Sequence, residues 1–316
     1  MHVLLNAGSL SPDDPRLAAA APGARFTAIT SEDEMHAAAP TAEVCWGARW
    51  LDVLLTDAPR LRWVASGSAG VEGLLARLAA RPEVVLTTGA GAFDVPIAEH
   101  VLALLLALRR GLHHSLRAQA EGRWARQSGL DELHGSTLAV IGLGHIGREL
   151  ARQAHAGFGL RILAYRREPV PAPAPVERVY SGRDGLLAML AAADAVAVTC
   201  ALTPETRGLL DAEALDALRP HALVVNIARG AVIDQAALVA RLADGRLAGA
   251  GLDVTDPEPP AADDPLWGLD NVIITPHVAG NSRRTGERQA ELFLANLTRY
   301  ATGQPLLNLV DAERGY

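Results

Sequence analysis

Residues 142–147 read GLGHIG, three glycines at the spacing that lets a backbone approach a pyrophosphate. The apolar run LAVIG leads into them and a helical pattern, HIGRELARQAHA, follows. In that context Gly142 allows the tight turn, Gly144 lets the phosphates come close, and Gly147 lets helix and strand pack together. The helix opening at His145 and Ile146 offers free N–H groups and a partial positive charge to those phosphates. The next strand, LRILAY, ends in Arg166 and Arg167, where a nicotinamide dinucleotide site usually has an acid to hold the ribose hydroxyls. An acid repels a 2′-phosphate, whereas arginine pairs with it through a planar fork. The reading is a preference for NADP(H), with NAD(H) as the other nucleotide the turn accepts. The run AHAGFGLRIL is one residue longer than the usual helix-to-strand spacing, so the arginine that meets the phosphate stays open between the two.

Three further polar residues sit at or just beyond apolar runs: Arg229 in VVNIARGAVID, Glu258 in GLDVTDPEPP and His277 in NVIITPHVAG. Taken singly, each has a plain explanation as a loop cap, a solvated turn and a satisfied loop histidine. Taken together, downstream of a dinucleotide turn, they mark strand ends of the kind where α/β folds place their chemistry.

The elements that must position these groups follow a βα rhythm. The runs HVLLN, RFTAI, AEVCWG, LRWVAS and EVVLTT alternate with alanine-rich amphipathic segments before residue 98. A long helix is expected over 96–121. The rhythm then restarts with STLAVIG, LRILAY, AVAVTC, ALVVNIA, LAGAGLDV and NVIIT. Continuous apolar strands of this kind imply parallel sheets covered on both faces. A last helical pattern, RRTGERQAELFLANLTRYATG, precedes the tail QPLLNLVDAERGY and is expected to return to the first domain. That gives an outer domain of 1–98 and 278–316 with a dinucleotide-binding domain of 99–277 inserted in it. The proline-rich stretch 168–177 suits an extended surface loop.

Bulk composition narrows the class. The 316 residues are 49% hydrophobic and 21% charged, with net charge −7 and no long basic run, which argues against a nucleic-acid surface. Cys45 and Cys200 offer neither a disulfide framework nor a metal pattern, which fits a reducing, cytoplasmic setting. MHVLLNAGSL reads as a first strand rather than a signal peptide, and the apolar block VLALLLAL is far short of the about 20 residues a membrane span needs. His113 and His114, adjacent on a helix, point in different directions and lack a ligand at i+4, so no metal site is expected.

The blocks VPIAEHVLALLLALRR, GLGHIG, ALTPETRGLL, VVNIARGAVID, GLDVTDPEP and TPHVAG stand in an order and spacing that resembles the D-isomer-specific 2-hydroxyacid dehydrogenases, over about residues 60–310. The first 60 residues carry little of the likeness. The resemblance implies two Rossmann-like, doubly wound parallel-sheet domains with the active site in the cleft between them and hinges near 95–98 and 278–281. It implies a catalytic set in which His277 protonates the substrate carbonyl, Glu258 holds the other ring nitrogen, and Arg229 binds the substrate carboxylate and polarises the carbonyl. It implies that Asp253 contacts the nicotinamide carboxamide and that Thr206, with Thr203 and Pro204, lies beside the cofactor. The loop SGSAGVE matches the one whose N–H groups receive the substrate carboxylate, at Ser68, Ala69 and Gly70. Members generally form homodimers through the long helix region.

Basic residues after the second strand resemble the glyoxylate/hydroxypyruvate reductase branch, so the expected substrate is a small 2-oxo acid. Two other readings of the same fold remain: a nucleotide-sensing, corepressor-like protein, and another family dehydrogenase such as a phosphite dehydrogenase. A formate enzyme fits less well, because Pro276 stands where those carry glutamine. Trp46 and Trp50 read as a buried packing pair, Trp124 as structural, and Trp267 as packing between a loop and the sheet.

Overall fold

The computed structural model describes every residue except Ala7, Glu313 and Tyr316, so two positions of the expected tail lie outside the described residues. The chain divides into two compact units, Met1–Phe93 with Ser282–Tyr316, and Asp94–Asn281.

The first unit alternates strand and helix: β1 (His2–Leu5), α1 (Pro15–Ala20), β2 (Arg25–Ala28), α2 (Glu32–Ala38), β3 (Val44–Trp46), α3 (Leu51–Asp57), β4 (Trp63–Ala65), α4 (Glu72–Leu78) and β5 (Val85–Thr87). The strands pair in parallel in the order β2-β1-β3-β4-β5. Successive side chains of a strand point to opposite faces. Val3, Val44, Trp46 and Trp63 accordingly join one apolar cluster, and Leu4, Cys45 and Val64 another. Both faces are covered, which is why these strands are unbroken apolar runs.

The second unit begins with α5 (Asp94–Arg109) and α6 (Leu112–Ala120). It continues through β6 (Thr137–Ile141), α7 (His145–Phe158), β7 (Arg161–Tyr165), β8 (Val176–Tyr180), α8 (Gly182–Ala191), β9 (Ala195–Val198) and α9 (Ala212–Asp216). It closes with β10 (Leu223–Asn226), α10 (Gln235–Ala243), β11 (Gly249–Leu252) and β12 (Val272–Ile274). Its seven parallel strands run β12-β11-β10-β9-β6-β7-β8. The last helix, α11 (Thr285–Ala301), belongs to the first unit. There Phe293 stacks on Trp46 at 4.8 Å and on Trp63 at 5.6 Å between ring centroids. Both units are therefore doubly wound parallel α/β sheets. Among the described residues no helix is long and apolar enough to cross a membrane.

Several local expectations need correction. The helix expected over 96–121 is two helices, broken after Arg109 because Gly111 adopts a left-handed conformation with φ 61°. The compact units meet at 93/94 and 281/282, beside the expected domain bounds of 98/99 and 277/278, and α5 runs as one continuous helix from Asp94 and packs against β10 and β11. Strand β8 was not anticipated. Its sequence, VERVY, puts two adjacent charged residues, Glu177 and Arg178, inside a strand at the sheet edge, and it takes over the end of the proline-rich stretch from Val176 onward. Trp46 and Trp50 are not a pair: Trp46 is buried in β3, whereas Trp50 is half-buried ahead of α3 with the Arg49 guanidinium over its ring. Trp124, expected to be structural, is 93% exposed. Trp267 is also exposed, held by its Nε1 donating to the Ala261 carbonyl at 2.9 Å. His113 and His114 do not diverge; their ring centroids lie 3.9 Å apart, with His113 Nδ1 drawn to the Ala107 carbonyl.

Candidate active site

The glycine turn joins β6 to α7. Gly142 has φ 96°, and a Cβ built on it would lie 2.7 Å from the backbone of Cys200. A Cβ on Gly147 would lie 2.1 Å from the Gly142 carbonyl oxygen. Nothing lies within 4 Å of a Cβ on Gly144. Packing thus forces two of the glycines, and the third keeps space open in front of the turn. The Thr199 hydroxyl donates to the Gly142 carbonyl at 2.6 Å and fixes the turn from β9. No side chain caps α7, so its first-turn N–H groups are left to face a ligand. An open glycine before an uncapped helix fits a dinucleotide pyrophosphate. His145, exposed at the first helical position, has Nδ1 3.5 Å from Asp94 Oδ2, and that partner raises its pKa above the usual value.

At the end of β7 the backbone N–H of Arg166 donates to the Tyr180 carbonyl at 3.0 Å. Arg166 is half-buried and Arg167 exposed. Across from them Glu205 has its carboxyl held below the usual range, chiefly by the Thr203 hydroxyl, with the field of Arg167 adding to it. Thr206 uses its hydroxyl within its own loop, donating to the Ala201 carbonyl and accepting from the Thr203 N–H, both at 2.7 Å. The side chain therefore shapes the loop rather than reaching out of it.

Arg229, Glu258 and His277 follow the C-terminal ends of three neighbouring strands, β10, β11 and β12. His277 Nδ1 lies 2.7 Å from Glu258 Oε1. A carboxylate only accepts, so Nδ1 carries the proton and Nε2 points elsewhere. His277 has φ 53°, a left-handed conformation costing a non-glycine residue roughly 1–2 kcal/mol. Asp253, only 2% exposed, holds that conformation in place. Its Oδ1 accepts from the Thr275 hydroxyl at 2.5 Å and from the Val278 N–H at 2.9 Å, and its Oδ2 accepts from the Ala279 N–H at 2.9 Å. Both carboxylate oxygens are spent on the loop that bears His277. His100 joins the same network, with Nε2 3.0 Å from the Thr275 hydroxyl.

Arg229 is half-buried, with Nη1 donating to the Ala228 carbonyl at 2.7 Å. Its backbone is set by Asn226, whose side-chain amide donates to the Arg229 carbonyl and whose oxygen accepts the Ala228 N–H, each at 3.0 Å. A Cβ on Gly230 would lie 2.0 Å from the backbone of Thr255, so only glycine lets the Arg229 turn pack against the segment that leads to Glu258.

In the first unit the loop after β4 carries Ser68, Ala69 and Gly70. The Ser68 N–H donates to Ser66 Oγ at 3.1 Å, so one of the three expected donors is already engaged. The N–H groups of Ala69 and Gly70 have no partner among the described residues.

Sequence reasoning missed Thr199, Asn226, His100 and Asp94. Each is a polar residue whose value lies in what it holds, and only Thr199 and Asn226, polar at the ends of apolar runs, carried a visible signal.

Known proteins resemble this chain over most of its length. The model of the D-isomer specific 2-hydroxyacid dehydrogenase NAD-binding domain matches residues 102–279. A glyoxylate reductase of Korarchaeum cryptofilum is 37% identical over 81% of this chain and 78% of its own length. An (S)-sulfolactate dehydrogenase of Chromohalobacter salexigens is 36% identical over 78% of this chain and 79% of its own. The solved structure of a D-isomer specific 2-hydroxyacid dehydrogenase from Xanthobacter autotrophicus Py2, in complex with NADPH and MES, covers 100% of this chain and 99% of its own at 31% identity and TM-score 0.83. With a family model matched over more than half its length and a relative of this identity and coverage, the chain belongs to the D-isomer specific 2-hydroxyacid dehydrogenases.

Proposed function

We propose that this dehydrogenase works as an NADP(H)-preferring reductase of a small 2-oxo acid such as glyoxylate or hydroxypyruvate. The observation that carries the reading is the His277–Glu258 pair at 2.7 Å, on the same sheet edge as Arg229 and the glycine turn. When bound, the nicotinamide supplies the hydride that reduces the carbonyl carbon. The residues of this chain do the rest. His277 Nε2–H gives its proton to the carbonyl oxygen, and Glu258, held at 2.7 Å from Nδ1, fixes the ring so that Nε2 is the atom presented. In the reverse direction the neutral ring takes the hydroxyl proton. The Arg229 guanidinium pairs with the substrate carboxylate and draws charge from the carbonyl. In the first unit, the N–H groups of Ala69 and Gly70 are donors suited to a carboxylate. Asp253 acts as a positioning residue for His277, because its oxygens are already engaged.

The case for NADP(H) rests on Arg166 and Arg167, with no acid before Glu168. A relative solved with NADPH is consistent with it. Initial rates with glyoxylate and hydroxypyruvate, using NADPH and NADH side by side, test both parts. At least tenfold faster turnover with NADPH, about 1.4 kcal/mol, supports the reading. Equal rates remove the role of the arginines, and no turnover despite nucleotide binding removes the reductase.

The dehydrogenase is further proposed to act as a homodimer through α6 and the segment after it. Leu112, Leu116, Trp124 and Leu130 are all exposed there, a concentration of large apolar side chains uncommon on a free surface. Sedimentation of the wild type against Leu116→Glu checks it: a shift from dimer to monomer is expected.

A further inference from the structure

We infer that Gln289 is a positioning residue for substrate binding, acting through the loop at Ser68, Ala69 and Gly70; this rests on the reading of that loop as the carboxylate receiver. Gln289 lies in the second turn of α11, far in sequence from the loop. Its Nε2 donates to the Gly67 carbonyl at 2.6 Å. The N–H at the other end of that peptide, on Ser68, donates to Ser66 Oγ at 3.1 Å. One peptide plane is therefore gripped at both ends by side chains.

The next plane is gripped as well. The Ser68 carbonyl accepts the Gly89 N–H at 2.8 Å. Carbonyl and N–H of a trans peptide point in opposite directions, so fixing the Ser68 carbonyl aims the Ala69 N–H away from it. Gly89 can approach only because it has no side chain: a Cβ there would lie 2.6 Å from the Gly67 carbonyl oxygen. That oxygen is thus crowded against the β5 end of the sheet, with Gln289 as its hydrogen-bond donor. Without the amide the carbonyl loses its partner in a confined space, and rotation of the 67–68 peptide becomes the way to recover one. The rotation would carry the donors of Ala69 and Gly70 with it.

A residue that sets donor direction acts on substrate affinity, not on nucleotide binding or proton transfer. The test compares wild type with Gln289→Met, which keeps length and packing, and Gln289→Glu, which puts an acceptor against the carbonyl. Gln289→Met is expected to raise the KM for glyoxylate and the inhibition constant for oxamate about five- to tenfold, with Gln289→Glu larger. The dissociation constant for NADPH, kcat at saturation and Tm should change little. Protein labelled with 15N-alanine and 15N-glycine supplies the second readout: oxamate should shift the Ala69 and Gly70 amide resonances in wild type and shift them less in Gln289→Met. If wild-type resonances do not respond, the loop is not the carboxylate receiver and that reading fails. If they respond equally in both proteins and KM is unchanged, the loop stands and the role of Gln289 is overturned. A loss confined to kcat or Tm also overturns it, since that is what a purely structural glutamine would give.

Discussion

The imidazole of His277 and the carboxylate of Glu258 meet at 2.7 Å, Nδ1 to Oε1, from loops that leave neighbouring strands. The contact leaves the far ring nitrogen as the working atom. Replacing His277 by Asn keeps a residue that tolerates the left-handed backbone but removes the acid, and kcat should fall about 10²–10⁴-fold. Glu258→Gln keeps a hydrogen-bond acceptor without the charge and should cost less, on the order of 10-fold or more. Steady-state kinetics measures both, and NADPH titration should show nucleotide affinity little changed in either.

The glycine turn separates folding from binding. Gly144→Ala meets no atom within 4 Å and should leave Tm unaltered. Its methyl group fills the space expected for the phosphates, so the dissociation constant for the nucleotide should rise at least about tenfold. Gly147→Ala would set a Cβ 2.1 Å from the Gly142 carbonyl oxygen, so stability and binding should fall together. Thermal melts and nucleotide titrations of the two variants distinguish these outcomes; equal Tm losses would count against the assignment.

Asp253 is the largest single investment in holding His277. Asp253→Asn turns one acceptor oxygen into an N–H₂ group facing backbone or hydroxyl donors. The expected loss is about 1–3 kcal/mol, a Tm drop of roughly 3–10 °C for a unit of this size. Because the loop bearing His277 loosens as well, kcat should fall more than the nucleotide affinity does.

His145 gives the site a pH dependence. Its folded pKa is raised above 6.5, chiefly by the hydrogen bond to Asp94. The stabilisation this pair adds is complete below the unfolded value of about 6.5 and is lost as pH rises through the higher folded value. If the glycine turn receives the pyrophosphate as proposed, the same cation adds to its pull on the phosphates, and the affinity should weaken over that window. Titrations with NADH isolate the effect, since NADH has no 2′-phosphate of its own to titrate. Asp94→Asn should move the inflection downward; an unmoved inflection would assign it to another group.

The signals that made the fold legible were local. Unbroken apolar runs such as AVAVTC and ALVVNIA have one stable use in a chain of this length, a strand buried on both faces. Arg229, Glu258 and His277 were visible because polar residues at the ends of such runs have no packing role. VERVY escaped notice because half of an edge strand is charged and its neighbours are prolines. The break at Gly111 escaped because a single glycine inside a helical pattern is usually tolerated. The occupied oxygens of Asp253 and the engaged Ser68 N–H could not be read at all, since hydrogen-bond partners belong to the folded backbone and not to composition.

The stacking of Phe293 on Trp46 and Trp63 also orders events during synthesis. The N-terminal sheet leaves the ribosome first, yet the helix that covers this face follows roughly 190 residues later, about 10–40 s at ordinary elongation rates. Through that interval the nascent sheet carries bare tryptophans while the inserted unit is still being synthesised. Chaperone occupancy on translating ribosomes should therefore persist past residue 281 and end once α11 has emerged.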